Sequence, residues 1–110
     1  MNHDLDVKAQ VKQILKVVQE IAPGRSVEIR IPPYAAIQCV EGVNHRRGTP
    51  PNVVEMAPET LIALSHNSHK WHELSAEGLI SASGTHSNLK ELFLRVSIII
   101  NSQVRRDLGK

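Results

Sequence analysis

Six histidines, one cysteine and a few serines are the residues of this 110-residue chain whose chemistry needs weighing first. His66, His69 and His72 recur at every third position, so two of the three can share a helix face and offer neutral imidazole nitrogens to a metal. A metal site also wants further ligands and a second shell. Glu73 is adjacent in sequence but points away from His69, and a solvated polar turn is the better account of the run, so no metal is expected. Cys39 sits inside an alternating strand pattern, where a thiol is buried and inert. Ser81 and Ser83 lack the Gly-x-Ser-x-Gly elbow that exposes a nucleophile on a strained turn. Glycine-rich loops of the Gly-x-Gly-x-x-Gly or Walker type are absent, which removes support for nucleotide chemistry. The segment His45-Arg46-Arg47-Gly48 has guanidinium forks that pair with a phosphate or carboxylate through parallel hydrogen bonds, or it is a hairpin loop with ordinary solubilising charge. These residues point to a protein that is not an enzyme and uses no cofactor.

Bulk composition narrows the partners. Thirteen Lys plus Arg against eleven Asp plus Glu leave a net charge of +2, too small to argue for nucleic acid or a polybasic membrane anchor. A single cysteine forms no intramolecular disulfide and fits a reducing compartment. Met1-Asn2-His3-Asp4 does not begin a secretory signal, and no stretch reaches the roughly 18 apolar residues of a membrane span. Cytoplasmic residence, no stable membrane insertion and one domain over residues 1–110 are the expectations.

The elements that position these residues follow from periodicity. Val7, Val11, Ile14, Leu15, Val18 and Ile21 fall within about 120° of helical arc, and Pro23-Gly24 stops that helix. Val27 to Ile31 is apolar at alternate positions, as a strand with one buried face requires. A second strand is read over Tyr34 to Glu41, a basic loop over Gly42 to Gly48, and a third strand over Asn52 to Met56. Pro58 opens a short helix with Leu61, Ile62 and Leu64 that dissolves in the polar run Ser65 to Ser68; another carries Trp71 and Leu74 to Gly78. Leu79 to Gly84 is a short, weakly alternating strand. Ser87 can cap a last helix in which Leu89, Leu92, Phe93, Val96, Ile99 and Ile100 share about 120° of arc, with Arg105 and Arg106 at its dipole-favoured end.

The string Arg47-Gly48-Thr49-Pro50-Pro51-Asn52-Val53-Val54-Glu55, then Pro58-Glu59-Thr60, Trp71 and Gly78-Leu79-Ile80-Ser81-Ala82-Ser83-Gly84, resembles the bacterial orthologue branch of the sterol carrier protein family. The likeness runs from about Val7 to Val96, with 97–110 a helical extension and tail. Ala57 and His66-Asn67-Ser68 stand where members often carry an acidic residue and a glycine. The resemblance implies an α+β fold, a small mixed or antiparallel sheet covered by helices on one side, with an apolar cavity between them for a sterol, fatty acyl chain or similar lipid. It brings no catalytic residues. On the inward faces of the helices that it places over the sheet lie Leu61, Leu64, Trp71, Leu89, Phe93 and Val96, the candidate cavity wall; the alternative is that they simply close the core. Arg46 and Arg47 are the candidates for a charged head group.

One Phe, one Tyr and one Trp leave such a lining aliphatic, which suits flexible apolar ligands. Leu94 and Ile98, four residues apart, lie opposite the main stripe of the last helix, where they would serve a homodimer face or a docking surface, lie buried beneath the tail or another loop, or simply be exposed. The expected function is non-catalytic carriage of an apolar ligand, and the alternative is an accessory interaction or dimerisation module with the same fold and no ligand.

Overall fold

The computed structural model describes residues 3–42 and 52–108. Helix α1 (His3–Ile21) leads into strands β1 (Val27–Ile31), β2 (Ala35–Cys39) and β3 (Asn52–Met56). Helix α2 (Pro58–His66), a 3-10 turn (Ser68–Lys70) and helix α3 (Trp71–Ala76) come next, followed by β4 (Ile80–Ser83) and the 19-residue α4 (Lys90–Leu108). The strands form one mixed sheet in the order β2-β1-β3-β4. β1 pairs antiparallel with β2 and parallel with β3, and β4 closes the other edge antiparallel to β3. The three expected strands and the weaker fourth are all present, so the α+β class with helices over a small sheet is the fold. Arg46 and Arg47, with the rest of the basic loop, lie outside the described residues.

Alternation divides the sheet into two faces. Val27, Ile29 and Ile31 of β1, Val54 and Met56 of β3, Cys39 of β2 and Ile80 of β4 are buried, and they form one cluster with the inward residues of the helices. The other face carries Glu28, Arg30, Glu55 and Ser81, with Arg30 hydrogen-bonded to Glu28. This division is what period-2 patterning against a one-sided helical layer produces. Every apolar residue named above for α1, apart from the half-buried Ile21, lies in the core, and Val17 joins them.

Two joints differ in their chemistry from what periodicity suggests. The side chain of Asn88, not Ser87, serves the start of α4: its Oδ1 accepts from the Lys90 N–H at 3.0 Å, while the Ser87 hydroxyl donates to Gly84 O at 2.9 Å. The polar run after α2 does not unravel either. Asn67 ends α2 through its own N–H to Ala63 O and starts the 3-10 turn by accepting from the His69 N–H at 3.1 Å.

The α1–β1 connection is held unusually tightly. Val40 adopts a left-handed conformation (φ 64°), costly for a β-branched side chain. Three hydrogen bonds hold it there: its N–H donates to Ala22 O at 2.7 Å, and its carbonyl accepts from the Ser26 N–H and hydroxyl at 3.0 and 2.8 Å. Gly24 (φ 150°) lies so close beneath that a Cβ would stand 2.2 Å from the Val40 carbonyl carbon. Gly24→Ala is therefore expected to destabilise by about 3 kcal/mol or more, because backbone must move and the new φ is itself strained; urea unfolding followed by Trp71 fluorescence checks it.

At the start of β3, Asn52 is buried. Its Nδ2 donates to Ser26 O at 2.8 Å, and its Oδ1 accepts from the His86 N–H at 2.9 Å. One side chain thus joins β3 to the entry of β1 and to the segment between β4 and α4. Asn52→Ala orphans both backbone partners, and a loss of about 2 to 3 kcal/mol with an unchanged denaturant slope is expected in the same assay.

Candidate ligand-binding site

The long inward stripe of α4 organises the helical layer. Leu89, just before the helix, and Leu92, Phe93, Val96 and Ile100 within it are all buried. Phe93 meets Trp71 of α3, ring centroids 6.2 Å apart and planes 23° from parallel, an offset stack that fixes the first turns of α4 against the rest. Leu61 and Leu64 of α2 are fully buried in the same cluster. The six wall candidates, Leu61, Leu64, Trp71, Leu89, Phe93 and Val96, are thus brought together in the core.

Further along, α4 runs beside α1. Contacts that advance along α4 recede along α1: Arg95 Nη2 donates to Ile21 O at 3.3 Å, and Gln13 Nε2 donates to Gln103 Oε1 at 3.0 Å. The helices are therefore antiparallel. Near the second contact they part around a cleft of about 150 Å³. Ile14 and Ile100, both members of the core cluster, and Val104 make its apolar surface. Gln10, Gln13 and Gln103 stand with them, and Ser65 and His66 complete the lining from the end of α2. A second hollow, of about 350 Å³ and more open, lies between Pro32, Met56 and Leu79 at one end of the sheet. None of the six wall candidates lines either of these two spaces.

The polar residues of the first cleft are well tied. Asn101 Nδ2 donates to His66 O at 3.2 Å, which turns Asn101 Oδ1 toward His66 Nδ1 at 3.1 Å. Since that oxygen only accepts, Nδ1 carries a proton and donates to it. The Ser65 hydroxyl donates to Ile62 O at 2.7 Å. Periodicity marked Ile14 and Ile100 as core but gave no signal for a cleft, since the gap arises from how two helices far apart in sequence diverge.

The remaining candidates stand apart. His66, His69 and His72 are exposed, and among the described residues no three of His, Cys, Asp and Glu gather as a metal would need. Cys39 is buried, and burial pushes its thiol up to about 11. Ser81 and Ser83 are exposed on β4. Leu94 (44% exposed) and Ile98 (61%) face outward on α4. Among the described residues no helix is long and apolar enough to cross a membrane.

Comparison with known proteins bears on this arrangement. Among curated proteins no sequence matches. A solved structure described as UbiJ-SCP2 ubiquinone synthesis protein is similar in fold, with a TM-score of 0.50, 10% identity, and coverage of 89% of this chain and 94% of that one. The family described as bacterial SCP ortholog matches residues 4–94, so the wall candidates lie within the matched span except Val96, while Ile100, Gln103 and Val104 lie beyond it. A match over most of the chain, on a fold of helices laid over one small mixed sheet, makes this protein a member of the bacterial sterol carrier protein orthologue family.

Proposed function

We propose that this protein is a carrier that binds an apolar small molecule without covalent change, in the seam between α4 and the helices α1 and α2. The observation that carries the reading is the floor of the α1–α4 cleft. Ile14 and Ile100 belong to the same hydrophobic cluster as Leu61, Leu64, Phe93 and Val96, so a guest entering the cleft meets the core directly. Membership of the sterol carrier protein family supports the same function. One buried thiol suits the cytoplasm as the place of work.

Size decides how such a guest is accommodated. A cleft of about 150 Å³ matches a benzene-sized molecule, and a chain of six methylenes gains about 5 kcal/mol on leaving water. A longer chain needs more room, and α4 is built to yield it at one end. Beyond Ile100 the helix is fastened to its neighbours through Gln13–Gln103 and His66–Asn101, hydrogen bonds worth about 1 kcal/mol each. Its first turns are fixed by Phe93 on Trp71 and by Val96. A guest parts the last turns of α4 from α1 and α2; Leu61, Leu64 and Val96 become its side wall, and the Trp71–Phe93 stack with Leu89 behind it forms the closed end.

Long-chain alcohols, sterols and fatty acids screened by native mass spectrometry and by Trp71 fluorescence are expected to include a ligand with a Kd below about 100 µM, roughly 5.5 kcal/mol of affinity. Val104→Trp, at a position 42% exposed on the cleft, should weaken it at least about tenfold with little change in thermal midpoint. Absence of any ligand removes the carrier reading.

Thiol chemistry has a separate check. With its pKa raised to about 11 by burial, Cys39 stays protonated at neutral pH, and the native protein should resist a disulfide reagent that labels the unfolded chain at once. Rapid labelling of the native protein would point to a reactive cysteine instead.

A further inference from the structure

Among the described residues, the side chains that line the α1–α4 cleft are polar or apolar and include no Asp, Glu, Lys or Arg. Every group lining it is an amide, a hydroxyl, an imidazole or an alkyl chain. We infer that this cleft selects apolar molecules bearing an uncharged hydrogen-bonding head, an alcohol or ketone rather than a carboxylate or ammonium. The inference rests on the carrier reading and names the class of ligand for that same site.

The reasoning is one of pairing. An ionised head entering the cleft gives up water and meets no opposite charge, a cost that hydrogen bonds from neutral groups offset only in part. A hydroxyl or carbonyl head has no such cost. The Gln13–Gln103 hydrogen bond engages one end of each amide. Whichever way the two amides are turned together, one carbonyl oxygen and one NH₂ are left at the cleft, an acceptor and a donor side by side. Ser65, whose proton is directed to Ile62 O, adds an acceptor. A head that both donates and accepts, or one that only accepts, finds a partner there. Ile14, Ile100 and Val104 in the same lining take the alkyl part.

The test uses one chain length with four heads: hexan-1-ol, hexan-2-one, hexanoate and hexylammonium. Each is titrated into the full chain near pH 8, where both ions are charged and histidine is neutral. Binding is followed by NMR at the side-chain NH₂ groups of Gln10, Gln13 and Gln103. The alcohol and ketone are expected to bind at least about tenfold more tightly than either ion. Gln13→Glu, which keeps an acceptor for the turned Gln103 amide, should move hexylammonium to the head of the series. Hexanoate binding as tightly as hexan-1-ol, or no response of these amides up to about 50 mM of any compound, overturns the inference. Long-chain lipids separate it from the carrier reading. If they bind while the short series shows no preference, the head-group inference falls and the carrier stands; if the short series is ordered and no long-chain lipid binds, the inference holds and the carrier falls.

Discussion

The two hydrogen bonds of the Asn52 amide are the constraint on which the rest of this fold depends. β1 and β3 are parallel neighbours, which no tight turn can join, so no hairpin fixes where each begins. Asn52 stands opposite Val27 in that pair and reaches one residue back to Ser26 O. Its other end holds His86, from which the chain turns into α4. Register at the centre of the sheet and the launch point of the last helix are thereby set by one buried side chain. A polar group there has to satisfy its hydrogen bonds on both sides, and a register slip of one residue would strand them while turning Val54 and Met56 to the uncovered face.

From that joint, the core follows. The sheet offers one apolar face, and α1, α2 and α4 cover it with aliphatic residues, Trp71 and Phe93 supplying its one stacked aromatic contact. The helices differ in how they are held. α1 is locked at its end by the Gly24–Val40 crossing, where a strained backbone is kept in place by three hydrogen bonds. α4 is locked only at its beginning. Its last turns stand on Ile100 and on polar side chains, so opening there exposes little apolar surface that is not immediately recovered by an apolar guest.

Much of this was legible in the residues. Strands β1 and β3 have the bounds that alternation gives them, because one face of each is fully covered and period 2 is then unambiguous. α1 and its stop at Pro23-Gly24 were equally plain. The weak alternation of β4 reflects an edge strand with one buried residue, Ile80. Local competition hid the cap of α4: Ser87 and Asn88 are both good capping residues, and only the course of the chain past Gly84 decides that Ser87 turns back to it. Asn52 was visible as part of a family string, yet its role depends on contacts 26 and 34 residues away in opposite directions. The cleft was hidden for the same reason, since it is formed where α1 and α4 separate.

How a closed interior and the proposed carrier role fit together is a matter of relative free energies. Leu61, Leu64, Phe93 and Val96 have no contact with solvent, and a void of lipid size kept open among them would cost many kcal/mol in lost packing. A protein that stores its binding site as packed core avoids that cost while empty and meets it only when a guest supplies equivalent contacts. Each methylene contributes about 0.8 kcal/mol on leaving water, so a chain of ten or more outweighs the few hydrogen bonds that fasten the end of α4. On the proposed carrier role, affinity would rise with chain length until the seam reached the Trp71–Phe93 stack, where further opening would separate two rings and the helix that they anchor.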